Sequence, residues 1–81
     1  MGRSPNPLPE TTEFGQRLRA RREALGITQE KLAERAGLHT TYVSSVERGE
    51  RNVSLHNILR LASAVEVDPG DLVRGLTSEA S

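Results

Sequence analysis

Apolar residues recur along this chain at spacings of three and four, and nowhere in the sustained alternation of a β-strand. Phe14, Leu18 and Leu25 form one stripe, which predicts a helix from a cap at Thr11/Thr12 to Leu25, stopped by Gly26. Thr28 is a natural cap for a second helix, Gln29–Ala36, with Leu32 and Ala36 facing inward, Glu30 in the first turn and Gly37 at its end. After a turn of Gly37, Leu38 and His39, a third helix is predicted over Thr40–Arg48, ending at Gly49. Ser54 caps a fourth, on which Leu55, Ile58, Leu59, Leu61, Ala62 and Val65 make a broad face expected to be buried. Asp68-Pro69 opens a short fifth, with Asp as cap and Pro at the first helical position. The fold class expected is all-α: a compact five-helix domain over residues 12–76. A Pro-rich arm (1–11) precedes it and a small polar tail (77–81) follows.

Composition narrows what such a domain can do. Eighty-one residues make one small domain, which buries only about 60% of its unfolded surface. The chain has no cysteine and two scattered histidines, so neither a disulfide framework nor a metal site is expected, and no cofactor. No apolar run approaches the roughly 18 residues that span a bilayer, and no signal peptide is visible. Asn6 stands where a myristoylation signal needs Ser or Thr. A soluble, cytoplasmic protein without a small-molecule pocket is expected. No nucleophile–base set or glycine-rich phosphate loop suggests an enzyme, and Asp68 and Asp71 read as capping residues. The formal net charge of zero hides an asymmetry. Residues 1–60 carry ten basic side chains against seven acidic, and residues 61–81 one against four. A polyanion would prefer the first three quarters of the chain.

The second and third helices carry the chemistry. A short helix, a glycine-containing turn and another short helix form the unit that lays its second helix in the DNA major groove. On the third helix, Thr40, Thr41, Ser44, Ser45 and Arg48 fall within an arc of roughly 140°, with Tyr42, Val43 and Val46 opposite. Small hydroxyl groups can approach base edges and thymine methyls closely, whereas a merely solvated face more often carries Lys and Glu.

The segment TQEKLAERAGLHTTYVSSVERGERNVSL resembles the phage-repressor-like, or Xre, helix-turn-helix family, and the resemblance extends over roughly residues 13–74. Its Thr-Tyr-Val-Ser and Glu-Arg-Gly-Glu-Arg-Asn strings are most similar to controller proteins of restriction–modification systems. The resemblance implies a transcription regulator that binds double-stranded DNA. It implies base-facing positions at Thr40, Thr41, Ser44, Ser45 and the loop residue Arg51. Gln29 and Asn52 match phosphate-binding positions, and Arg48, on the same face, is expected on phosphate. Arg22 and Glu47 match a pair that joins the first helix to the recognition helix. Many relatives carry Gln or Arg where this chain has only hydroxyls, so more of its specificity would come from DNA shape.

Plainer readings stand beside these. Gln29 is also a reasonable solvated first-turn residue, and His39 a poor cap. His56, Arg17, Arg19 and Arg21 read as solvated surface. The competing function is an antitoxin-type module that docks a protein through the same fold. A recognition helix of this length covers too few base pairs for a unique address, so a homodimer on a palindromic operator is expected. The apolar groups left after filling the core are Val67, Leu72, Val73 and Leu76, which predicts the dimer interface there.

Overall fold

The computed structural model describes residues 7–78. It contains α1 (Pro9–Ala24), α2 (Gln29–Ala36), α3 (Thr40–Glu47), α4 (Leu55–Ala64) and α5 (Pro69–Val73), with no strand among the described residues. The expected all-α, five-helix architecture is therefore present. Helix α2 has the expected bounds, with the Thr28 hydroxyl accepting from the Lys31 N–H at 3.0 Å and Gly37 in the left-handed conformation that stops it. Ser54 and Asp68 cap α4 and α5 in the same way, accepting from the N–H groups of Asn57 (3.1 Å) and Gly70 (2.7 Å).

The first helix begins earlier than its sequence suggests. Pro9 takes the first helical position, which its fixed φ favours, so residues 9–11 belong to α1 and not to an arm. Thr11 is not the cap. It sits one turn in, accepts from the Leu8 N–H at 3.1 Å and donates to the Gly49 carbonyl at 2.7 Å. The rest of the expected arm, 1–6, and the tail end, 79–81, lie outside the described residues.

Helix α1 packs on α3 and α5, α2 on α3 and α4, and α4 on α5. Phe14, Leu18, Leu32, Val43, Val46, Leu61 and Val65 fill the centre, and Ala33, Ala36 and Ala62 let α2 and α4 approach closely. Two expectations fail here. Leu55 (71% exposed) and Leu59 (46%) face outward, because α4 meets its neighbours along Ile58, Leu61, Ala62 and Val65, a stripe too narrow to include them. Leu72, expected at a dimer interface, is 2% exposed and belongs to the core. A five-residue helix wedged against α1 and α4 has one inward position, and Leu72 occupies it, leaving Val73 outside.

The arginines of α1 are not all solvated surface either. Arg17 Nη1 donates to the Arg74 carbonyl (2.8 Å) and Arg21 Nε to the Val65 carbonyl (3.0 Å). They thereby satisfy the carbonyls at the ends of α5 and α4, where cations also suit the helix dipole. One glycine sets the α1–α3 distance. Gly15 is buried, and a Cβ on it would lie 3.0 Å from the carbonyl carbon of Glu47 and closer still to the carbonyl oxygens of Val46 and Glu47.

Candidate nucleic-acid interface

Helix α3 is held by charge as well as by packing. Glu47 is 3% exposed at its side chain and Arg22 12%. Arg22 Nε and Nη2 donate to the two carboxylate oxygens of Glu47 at 2.6 and 3.0 Å. Arg22 Nη1 donates to the Ile27 carbonyl at 2.9 Å, and Gln29 Nε2 donates to Glu47 Oε1 at 2.9 Å. The hydrogen bonds that Arg22 donates to Glu47, more than the charge of Glu47, raise the Arg22 pKa, so the guanidinium stays charged at any ordinary pH. Glu47 and Arg22 thus tie α1, the α1–α2 turn and the start of α2 to α3. The wheel angle of Glu47, on the border between polar and apolar faces, suits this inward pairing.

Gln29, expected on phosphate, spends one amide donor inside this cluster and is half-buried, so it is neither a free ligand nor a merely solvated residue. His39 is the first residue before α3 and makes no side-chain cap, as its chemistry suggested.

On the outward face, Thr40 and Thr41 are exposed, and Ser44 is half-buried with its hydroxyl accepting from Arg48 Nη1 at 2.6 Å. Ser45 departs from the expected base-facing set. It is 3% exposed, donates to the Tyr42 carbonyl at 2.7 Å and accepts from Arg51 Nε at 3.0 Å. A wheel counts angles on an isolated helix, whereas here the loop after α3 folds back and covers that edge.

That loop carries Arg51 in a defined position. Its guanidinium carbon lies 5.6 Å from the centroid of the Tyr42 ring, within cation–π range, while its Nε is fixed by Ser45. Tyr42 is fixed in turn, its hydroxyl accepting from Asn57 Nδ2 at 3.1 Å. Ser45, Tyr42 and Asn57 therefore support Arg51, a role sequence reasoning missed. No spacing rule links positions 45 and 51, although an arginine near a tyrosine offered a hint. Asn52 beside it is exposed. Arg48 caps the C-terminal end of α3 and forks onto Glu50, Nε to Oε2 at 3.0 Å and Nη2 to Oε1 at 3.1 Å; that hydrogen bond raises its pKa. Thr40, Thr41, Ser44, Arg48, Arg51 and Asn52 thus belong to one helix and the loop that follows it.

Among the described residues no three His, Asp or Glu side chains gather to hold a metal ion, and no helix is long and apolar enough to cross a membrane.

Comparison with known proteins matches this arrangement. The family model described as helix-turn-helix covers residues 18–72. The control protein C.BamHI of Bacillus amyloliquefaciens is 49% identical over 74% of this chain and 75% of its own. The crystal structure of the restriction–modification controller protein C.AhdI from Aeromonas hydrophila superposes with a TM-score of 0.78 at 52% identity, covering 80% of this chain and 98% of that one. The P22 c2 repressor, solved in complex with a synthetic operator, superposes with a TM-score of 0.72 at 35% identity, covering 78% and 96%. With five helices among its described residues, its α2–turn–α3 unit and these relatives, the chain belongs to the helix-turn-helix family of phage repressors and restriction–modification controller proteins.

Proposed function

We propose that this protein is a dimeric, sequence-specific DNA-binding regulator of transcription that reads a palindromic operator with α3 and has no catalytic role. The observation that carries the reading is the pairing of a rigid mount with an open face. Glu47 anchors α3 from behind through Arg22 and Gln29, while Thr40 and Thr41 stand exposed in front with Arg51 held beside them. In this reading Thr40, Thr41, Ser44 and Arg51 meet base edges, and Arg48, Asn52 and the second amide hydrogen of Gln29, the one not given to Glu47, meet phosphates. Ser45 acts through Arg51 and does not touch a base. The partners are double-stranded DNA and a second copy of the chain, at work in the cytoplasm.

Arg51→Ala is expected to cost about 1–3 kcal/mol of discrimination between operator and random DNA. Its effect on melting should be small, because the side chain is exposed and outside the core. Selection on random duplexes supplies the operator, and competitive gel shift reads the loss. Equal discrimination in variant and wild type would remove Arg51 from the base-reading set.

For the dimer, Val67, Val73 and Leu76 remain after Leu72 is assigned to the core. Val73 is exposed, and with Leu76, Phe14, Val53 and Ile58 it lines an open, mostly apolar groove. Arg51 and Asn52 line the same groove, so an isologous contact there runs beside the loop that meets DNA. The recognition helices should then lie about 34 Å apart, one turn of the duplex. Val73→Glu places like charges opposite each other across the two-fold axis. A folded monomer by sedimentation and circular dichroism is the expected result, and an intact dimer would move the interface elsewhere.

The protein-docking alternative has one observation in its favour. Leu55 and Leu59 form an exposed apolar pair on α4, and Leu59 shares a shallow cleft with Arg35 and Arg60. Binding to duplex DNA that falls steeply with salt favours the regulator reading, since phosphate contacts release counterions; salt-insensitive or absent DNA binding favours docking.

A further inference from the structure

The DNA-facing surface carries an acidic residue where a binding surface for a polyanion would be expected to exclude one. Glu50 lies two residues beyond Arg48, and its carboxylate takes the guanidinium fork in the bidentate geometry that a phosphate would use. Ser44 takes a third donor of the same guanidinium. Three of the five N–H groups of Arg48 are therefore engaged within the chain. Arg48 and Glu50 are 54% and 31% exposed at their side chains, so the pair sits in water where a phosphate can reach it. A phosphate arriving at this fork has to displace the carboxylate. Afterwards the displaced charge remains beside the duplex, on a loop whose next residue is Arg51.

Resting on the DNA-binding reading above, we propose that Glu50 is an internal phosphate mimic: it occupies the fork of Arg48 and limits the affinity of the protein for DNA by direct competition. The mechanism is an exchange of one anion for another on the same guanidinium. While the pair is closed, Arg48 contributes no net charge to the interface and releases no DNA counterion. When the carboxylate is removed, Arg48 becomes an ordinary phosphate ligand. The device lets a short helix with few base contacts avoid tight binding to every duplex, because nonspecific affinity comes almost wholly from such phosphate contacts.

The test uses the full chain and a fluorescein-labelled duplex of random sequence, with anisotropy titrations between about 50 and 200 mM salt. Glu50→Gln keeps the shape of the side chain and removes its charge. It should bind about three- to tenfold more tightly at the lower salt, with the slope of log affinity against log salt steeper by about 0.9. Arg48→Gln, made alone and with Glu50→Gln, separates exchange from a general charge effect. In the Arg48→Gln background the gain from Glu50→Gln should largely vanish. A gain that persists undiminished there overturns the exchange, as does an unchanged or weaker affinity of the single Glu50→Gln variant. If the wild type binds no duplex at any salt, the DNA-binding reading itself fails and this inference with it.

Discussion

Gly15→Ala should destabilise the protein by about 3 kcal/mol, the upper range for forcing atoms into a packed interface. That corresponds to a fall in melting temperature of roughly 12–24 °C for a domain of this size. The sign is the informative part. On an isolated helix the same change should stabilise by about 1 kcal/mol, because glycine is a poor helix former. Here the new methyl would meet the backbone carbonyls of Val46 and Glu47, which cannot rotate away as a flexible side chain can. Helices α1 and α3 would have to separate, straining the bond from Thr11 to the Gly49 carbonyl. Gly49 lies at the same crossing, with φ of 80° and a would-be Cβ 2.8 Å from Thr12 Cα, so the approach is tight from both sides. Gln16→Ala, on the exposed neighbouring residue, should be close to neutral. Thermal melts of the two variants decide the matter. Unchanged or increased stability in Gly15→Ala would mean that α1 and α3 do not touch as described.

Glu47→Ala should cost about 3–5 kcal/mol, the range for removing one partner of a buried ion pair. The loss arises less from the missing attraction than from what remains. Arg22 would keep its charge at a side chain only 12% exposed, and Gln29 would lose the acceptor of its amide. Removing both charges should therefore hurt less than removing one. Arg22→Met combined with Glu47→Leu should recover much of the stability, since apolar replacements of a buried pair are often neutral. Urea titrations of the single and double variants measure this. Equal losses in both would show that the pair contributes by shape and packing and not through its charges. An unchanged midpoint in Glu47→Ala would show that it does not hold α3 at all. The double variant should still bind DNA more weakly than its stability suggests, because α3 would no longer be fixed in angle.

Much of the fold was legible because its signals are local. Thr28, Ser54 and Asp68 mark helix starts by bonding to N–H groups two or three residues on, and Gly26, Gly37 and Gly49 mark stops by adopting positive φ. Such signals act within one turn and survive in the linear sequence. The start of α1 was missed because two local signals competed, and Pro9 at the first helical position prevailed over Thr11 as a cap.

The candidate site divides along the same line. Local patterning was enough to specify five helices, a helix-turn-helix of α2 and α3, and an exposed polar face beginning at Thr40 and Thr41. The matched family pattern specified in addition that Arg22 and Glu47 would pair. Tertiary structure alone decided which side chains at the edges of those faces meet solvent. Ser45 was turned from a base contact into a support for Arg51, Leu72 from an interface residue into core, and Leu55 and Leu59 from core into surface. It also decided that Gly15 would be the contact point of α1 with α3. The physical reason is that a helical wheel fixes direction but not depth. Whether a given angle is covered depends on which other segment passes over it, and that is set by chain closure among residues distant in sequence.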